Sequence, residues 1–238
     1  MRALVWTRRD FKETSRLVTL LTREEGKTTA LAKGAHRPTS PFLGRIDFLN
    51  LVRVRLGGRP GTLRLLTGVE LLHEPRALRQ PRRFLAASYL AEIFDVALPE
   101  GRADPELFDL MSGAILVLER AEPATVPVVL AGVEMRFLDA LGLLPSLDAC
   151  SACGGASPRL VLAPAGRGLL CERHARGAEP PLPPGVRAWL RHLLAARSEH
   201  WADHADPGAV RGGLYVLERW VAAAIERPPR LRALAVRG

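Results

Sequence analysis

Alternation of apolar and polar residues marks the first third of the chain. In residues 52–56, Arg53 and Arg55 alternate with three aliphatic side chains, and this period of two is typical of a strand with one buried face. Similar short runs, with turn residues between them, occupy residues 4–6, 17–22, 28–32, 48–56 and 62–66. Since closure of a sheet removes its exposed edges, about five short antiparallel strands favour a small barrel of the OB-fold or SH3-like type.

The spacing of apolar residues changes after Pro81. They recur every three or four positions, which predicts amphipathic helices, and Asp104 followed by Pro105 is a strong helix start. The predicted helices cover residues 82–98, 105–118, 126–141, 184–196 and 207–225. The expected fold class is therefore α+β: a β-barrel followed by a helical bundle that is interrupted between residues 147 and 180.

The charge is distributed unevenly along the chain. The 238 residues contain 34 Lys and Arg against 25 Asp and Glu, a formal charge of +9 at pH 7. Residues 1–80 hold 16 of the basic and 7 of the acidic residues, which accounts for the whole surplus. A surplus confined to one segment indicates a local polyanion-binding surface, whereas a uniform surplus would concern only solubility.

The composition excludes several classes of protein. With 47% hydrophobic and 25% charged residues, the chain is typical of a globular protein and not of a disordered one. No apolar run approaches the roughly 20 residues that a membrane-spanning helix needs, and the N-terminus lacks the apolar region of a signal peptide. No Walker loop, HExxH, GxSxG or dinucleotide-binding fingerprint occurs. We expect a cytoplasmic protein that has no membrane contact and is not an enzyme.

Four potential metal ligands form two pairs with equal spacing. Two residues separate Cys150 from Cys153, and after 17 further residues Cys171 and His174 repeat that spacing. Tetrahedral Zn²⁺ is commonly held by two such pairs, and all three cysteines of the chain fall in this pattern. We predict one Zn²⁺ bound by these four residues in a small zinc-ribbon insertion. Because four protein ligands leave no open coordination position, the ion should be structural.

Two other interpretations of this cluster stay open. The cysteines can be ordinary buried residues beside a surface histidine, or Cys150 and Cys153 can form a redox pair of the thioredoxin type. The second lacks the surrounding βαβ unit that such a motif has. A disulfide framework is disfavoured, since three cysteines cannot all pair with one another.

Basic residues dominate the segment between Lys27 and Arg64. Asp47 is the one acidic residue within it, so we expect phosphate binding with steep salt dependence and little sequence preference. The predicted nucleic-acid-binding residues are Lys27, Lys33, Arg37, Arg45, Arg53, Arg55 and Arg64. An arginine-rich face that is only solvated is the alternative interpretation.

Two distant blocks of the sequence carry recognisable motifs. The first contains Phe-Lys-Glu-Thr-Ser at 11–15, Leu-Leu-Thr-Arg-Glu-Glu-Gly-Lys at 20–27, Leu-Ala-Lys-Gly-Ala-His-Arg at 31–37 and Leu-Gly-Gly-Arg at 56–59. The second is Phe-Leu-Asp-Ala-Leu-Gly-Leu-Leu-Pro at 137–145, followed by Cys-Ser-Ala-Cys-Gly at 150–154. Together these blocks resemble the RecO family of bacterial recombination mediators. The resemblance covers nearly the whole chain, and the order and spacing of the motifs agree in both regions.

The resemblance implies an N-terminal OB-fold joined to a helical domain with a zinc module. It also implies binding of single- and double-stranded DNA, annealing of complementary strands, contact with the acidic C-terminal tail of single-stranded-DNA-binding protein, and joint action with RecR in loading RecA. Lys27, Lys33 and Arg37 match basic positions of the family, and the three cysteines match its zinc ligands. His174 stands where many members have a fourth cysteine, and imidazole is also a good zinc ligand.

The combined interpretation is a nucleoid-associated mediator of DNA repair and recombination. We expect an OB-fold domain over residues 1–80, a helical domain over 81–146 and 181–238, and a zinc-binding module over 147–180. The alternative belongs to another functional class: a protein-interaction scaffold that is stabilised by zinc and whose basic face has no role in binding.

Overall fold

The computed structural model describes residues 1–164, 166–175, 181–203 and 205–237. The chain forms two compact units, and the helix that starts at Pro81 contributes to both. The first unit combines Met1–Gln80 with Ala91–Glu119, and the second combines Pro81–Leu90 with the chain from Arg120 onward. The four-segment domain organisation expected from the sequence stays a prediction.

Five strands close a barrel in the first unit. They are β1 (Arg2–Phe11), β2 (Ser15–Thr22), β3 (Gly26–Ala32), β4 (Leu51–Gly57) and β5 (Arg64–His73). Their order around the barrel is β1-β2-β3-β5-β4, and β4 pairs back onto β1. All neighbours are antiparallel except β3 and β5, which run parallel. The structure thus confirms the predicted OB-like barrel.

Inward-facing aliphatic residues fill the barrel. Val52 and Val54 of β4 are buried, while Arg53 and Arg55 are exposed, as the period of two predicts. The loop between β3 and β4 adds three side chains to the same core. The outer face of β4 is therefore left to the two guanidinium groups.

Two strands extend further than their sequence patterns predict. The register of β1 against β2 shifts between Val5 and Thr7, and residues 7–10 of β1 are all exposed. Because no side chain is buried there, apolar alternation cannot mark this part of the strand. β5 continues past residue 66 to His73 and pairs Gly68 with Arg55 of β4. Pairing with β4 overrides the low strand propensity of this glycine.

The described residues contain six α-helices. They are α1 (Pro81–Ala97), α2 (Pro105–Arg120), α3 (Val126–Ala140), α4 (Pro184–Ala195), α5 (Pro207–Ala224) and α6 (Arg232–Arg237). The Asp104 carboxylate accepts a hydrogen bond from the Leu107 N–H at 3.0 Å and so caps α2. The sequence predicts the first five helices but not α6, since six residues carry little periodic signal. None of the described helices is long and apolar enough to cross a membrane.

A buried ionic cluster attaches α6 to the second unit. Glu134 of α3 is fully buried, and its carboxylate accepts hydrogen bonds from Arg232 Nε at 2.8 Å and Nη2 at 3.0 Å. The Tyr89 hydroxyl donates to the same carboxylate, and Arg232 Nη2 also donates to the Leu214 carbonyl oxygen at 2.9 Å. Burial alone would lower the pKa of Arg232, but the Glu134 carboxylate outweighs it and raises that pKa. Arg232 therefore stays charged inside the second unit.

Candidate metal centre and nucleic-acid surface

A short hairpin brings the four predicted metal ligands together. Strands β6 (Leu160–Leu162) and β7 (Leu169–Cys171) pair antiparallel. The ligand atoms of Cys150, Cys153, Cys171 and His174 all lie within 4.8 Å of one another. The structure therefore shows a single cluster of these residues that can bind a metal ion.

Backbone turns set the geometry of each ligand pair. The Gly154 N–H donates to the Cys150 carbonyl oxygen at 2.8 Å, and Gly154 has a φ of +69°, which glycine adopts without strain. The His174 N–H donates to the Cys171 carbonyl oxygen at 2.9 Å. Both turns are local, which is why the spacing of the ligands was visible in the sequence.

His174 faces the sulfur atoms through Nδ1. This nitrogen lies 3.3 Å from Cys171 Sγ and 3.6 Å from Cys150 Sγ. Zinc bonds of about 2.3 Å to sulfur and about 2.0 Å to nitrogen, at tetrahedral angles, separate the two ligand atoms by about 3.5 Å. The observed distances fit a tetrahedral zinc ion with Nδ1 as the imidazole ligand atom.

Hydrogen bonds favour the thiolate form of two cysteines. The backbone of Cys171, with smaller contributions from the backbone of the 150–153 turn, lowers the pKa of Cys150 to about 6. The His174 side chain lowers the pKa of Cys171. The thiolate is the form that binds a metal. At Cys150 and Cys171, geometry and charge therefore suit the same soft cation.

Five of the seven cations predicted to bind DNA lie on the barrel surface. Lys33, Arg37 and Arg45 are exposed in the loop after β3, and Lys33 and Arg37 form no ion pair with any described residue. Arg45 Nη1 donates to the Val69 carbonyl oxygen at 3.3 Å. All three side chains keep their charge available to solvent.

Arg53 and Arg55 project from the outer face of β4. Arg53 Nη1 donates to Glu70 Oε2 at 2.7 Å, and both side chains are more than half exposed, at 57% and 60%. Such an exposed pair contributes little to stability and is easily exchanged for another anion. Arg55 lies across Gly68, where an added Cβ would be 2.8 Å from Arg55 Nε. The Arg55 guanidinium can lie over residue 68 because glycine has no Cβ that would clash with it.

Lys27 is turned away from solvent. Its Nζ donates to the backbone oxygen and to Oδ1 of Asp95, both at 2.9 Å, and only 12% of its side chain is exposed. Trp6 Nε1 shares the same Oδ1 at 2.8 Å. Lys27 thus joins β3 to α1 inside the first unit.

Arg64 is buried and does not lie on the basic surface that the sequence suggested. Its side chain is 7% exposed, and Nη1 donates to Glu25 Oε2 at 3.0 Å. The guanidinium also donates to the carbonyl oxygens of Leu56 at 3.3 Å and Gly57 at 3.4 Å. Arg64 therefore ties the end of β4 and the β2–β3 turn to the start of β5.

The β1–β2 hairpin carries cations that the sequence analysis did not single out. Arg8, Arg9 and Lys12 are exposed, and Arg8 pairs with Asp47. The run Arg-Arg-Asp at residues 8–10 indicates an exposed, charged segment. The apolar pattern of β1 stops before this run, so that pattern does not predict a strand there. These residues add positive charge to the same barrel.

Hydrogen bonds link this hairpin to the loop that follows β3. Arg16 Nε and His36 Nε2 each lie 2.9 Å from Asp10 Oδ1, and the hydrogen bond from Arg16 lowers the pKa of Asp10. The His36 N–H donates to the Thr14 carbonyl oxygen at 3.1 Å. The hairpin tip and the turn between Lys33 and Arg37 are therefore neighbours in one cationic region.

Two protein-family models together match almost the entire chain. The family model described as "Recombination protein O N terminal" matches residues 1–75, and the one described as "Recombination protein O C terminal" matches residues 78–233. The DNA repair protein RecO of Myxococcus xanthus is 34% identical over 215 residues, which cover 81% of this chain and 87% of that protein. The DNA repair protein RecO of Geobacter metallireducens is 31% identical over 230 residues, covering 95% and 92%. The barrel, the helices and the Cys/His cluster thus occur in a chain that belongs to the RecO family of DNA repair proteins.

Proposed function

We propose that this protein is a non-enzymatic recombination mediator that binds single- and double-stranded DNA through the barrel and anneals complementary strands. The observation that carries the proposal is the set of exposed cations on the barrel of a RecO-family chain. Its proposed DNA-contacting members are Lys33, Arg37, Arg45, Arg53 and Arg55, together with Arg9 and Lys12 of the hairpin. Lys27 and Arg64 are assigned to holding the barrel together, since their charged groups are already bonded within it.

Annealing requires little chemistry from the protein. Two complementary strands repel each other through their phosphates, and a surface of Lys and Arg that holds both strands lowers this barrier. Phosphate contacts carry no sequence information and are made to the backbone, so most of the bases remain available to pair. Aromatic residues for base stacking are few in the barrel: Trp6 and Phe42 are buried. Binding should therefore depend mostly on charge and little on sequence.

We propose that Cys150, Cys153, Cys171 and His174 hold one structural Zn²⁺. The ion would supply folding free energy to this segment by joining its two ligand pairs. Metal analysis of protein purified without chelator tests this assignment, with about one zinc per chain expected. A content near zero would reject the four-ligand site.

We further propose that the protein acts with RecR to load RecA onto DNA coated by single-stranded-DNA-binding protein, and that it contacts the acidic tail of that protein. RecO-family membership supports this role. The proposed location is the cytoplasm at the nucleoid, where chromosomal DNA is found. The proposed organisation keeps the barrel over residues 1–80, helical parts over 81–146 and 181–238, and the zinc module over 147–180.

Fluorescence anisotropy with short single- and double-stranded oligonucleotides tests the central proposal. We expect the protein to bind both oligonucleotides. The logarithm of the association constant should fall steeply and linearly with the logarithm of the salt concentration. Weak binding with a flat salt response would reject it and favour a protein-interaction scaffold. Strand-annealing rates measured with the same oligonucleotides test the second step, and divalent-ion-dependent cleavage of either oligonucleotide would show an enzyme instead.

A further inference from the structure

The loop of residues 33–50 presents one leucine to solvent from a firmly held turn. Phe42 is 6% exposed and Ile46 is 2% exposed, and both belong to the barrel core. Between them, Leu43 is 65% exposed. The Asn50 side chain donates to the carbonyl oxygens of Gly44 and Arg45, both at 3.1 Å. The backbone on both sides of Leu43 is therefore anchored while its side chain is left in water.

The loop residues before and after Leu43 in the sequence include exposed apolar and cationic side chains. Pro38 and Pro41 are exposed in the same loop, and so are Arg37 and Arg45. Successive turns keep this stretch compact: the N–H of Ser40 bonds to the oxygen of Arg37 at 2.9 Å, and that of Leu43 to the oxygen of Ser40 at 3.3 Å. We call Pro38, Pro41 and Leu43 with these two arginines the loop patch.

The loop patch has no free acidic group. Asp47 is the one acidic residue in 33–50, and it pairs with Arg8. A partner that suits the patch must therefore offer negative charge next to flat apolar surface. Single-stranded nucleic acid has this chemistry, since each phosphate is followed by an unpaired base with an apolar face.

We propose that the loop patch contacts the bases of single-stranded DNA, with Leu43 as the central apolar contact and Arg37 and Arg45 binding the flanking phosphates. This inference rests on the proposed DNA-binding function and adds a base-contacting element to it. In duplex DNA the base faces are stacked and inaccessible to such a contact. The patch thus adds to single-strand binding an apolar contact that a duplex cannot make.

Salt dependence separates the two kinds of contact. Replacing Leu43 by alanine removes apolar area but no charge, so the line of log K against log salt should shift down in parallel by about three- to tenfold. Replacing Arg45 by glutamine removes a phosphate contact and should reduce the slope for single strands by about 0.7. Affinity of the Leu43→Ala variant for a duplex should stay that of the parent protein.

Leu63 supplies a matched control on the same barrel. It is 57% exposed, close to the exposure of Leu43. It borders a cavity of about 790 Å³ whose lining includes Glu24, Glu25 and Glu100 beside Lys27, so its surroundings are less cationic than those of Leu43. Leu63→Ala should leave binding to single strands unchanged, and thermal unfolding should show both alanine variants folded as the parent.

An oligonucleotide without bases completes the experiment. The parent and Leu43→Ala should bind this abasic phosphodiester with equal affinity. Three results would each overturn the inference while leaving the proposed function intact. Leu43→Ala could bind ordinary single strands as tightly as the parent protein does, or it could lose as much affinity for the abasic strand as for ordinary strands. Leu63→Ala could lose as much affinity for single strands as Leu43→Ala does. The first of these results would point to a protein partner for the patch. Failure of the parent protein to bind any oligonucleotide would overturn both.

Discussion

Replacing Arg232 by methionine should destabilise the second unit severely, although the residue lies near the end of the chain. Methionine keeps much of the side-chain volume but removes both hydrogen bonds to Glu134, which measure 2.8 and 3.0 Å. Glu134 is fully buried, and the Tyr89 hydroxyl is then its one remaining side-chain partner in the described structure. The variant leaves a carboxylate without a compensating charge in the interior.

The expected loss follows from this burial. Breaking one side of a buried ion pair typically costs about 3–5 kcal/mol, because the other charge stays desolvated. For a chain of this size, such a loss corresponds to a fall in Tm of roughly 6–20 °C. The loss of the hydrogen bond to the Leu214 carbonyl oxygen acts in the same direction. Thermal unfolding followed by circular dichroism measures the effect.

Two further variants identify the cause. Arg237 lies on the same helix and is exposed, so Arg237→Met should change the free energy of unfolding by less than about 0.5 kcal/mol. The double variant Glu134→Gln/Arg232→Met removes both charges and should recover a large part of the loss. The reasoning is refuted if Arg232→Met costs less than about 1 kcal/mol, or if the double variant is as unstable as the sum of its two single changes.

Three other changes test the site assignments. Charge reversal of Lys33 and Arg37 to glutamate should slow annealing and weaken DNA binding at least about tenfold with an unchanged Tm, since both are exposed and neither forms an ion pair within the part of the chain that the structure describes; a fall in Tm without loss of binding would contradict this. Arg64→Gln should behave oppositely, lowering stability by about 2 kcal/mol with little effect on the salt slope, because its charge is bonded to Glu25. Zinc affinity should weaken more steeply below a pH of about 6, the pKa of the metal-free Cys150 thiol, because protons then compete with the metal for this thiolate as well. Zinc affinity measured against a competing chelator at each pH checks this, and an affinity that does not fall with pH would oppose the assignment.

Local patterns in the sequence predicted most of the fold and the metal cluster. The alternation of residues 52–56 indicated β4 with its two outward arginines, and the structure confirms it. The paired spacing around Cys150 and Cys171 indicated one cluster, because each pair is set by a turn of a few residues. Such signals depend on interactions close in the chain, which a sequence displays directly.

The surroundings of individual charges were decided by the tertiary structure alone. Lys27 bonds to Asp95, 68 residues away, Arg64 to Glu25, 39 residues away, and Arg232 to Glu134, 98 residues away. In the sequence, nothing in the neighbouring residues distinguishes each of these buried or paired cations from an exposed one. Whether a basic residue faces solvent or a buried carboxylate depends on which segments pack together, and packing joins residues that no local period relates. The sequence therefore determined that the barrel is cationic, and only the fold decided which of its cations remain available to bind DNA.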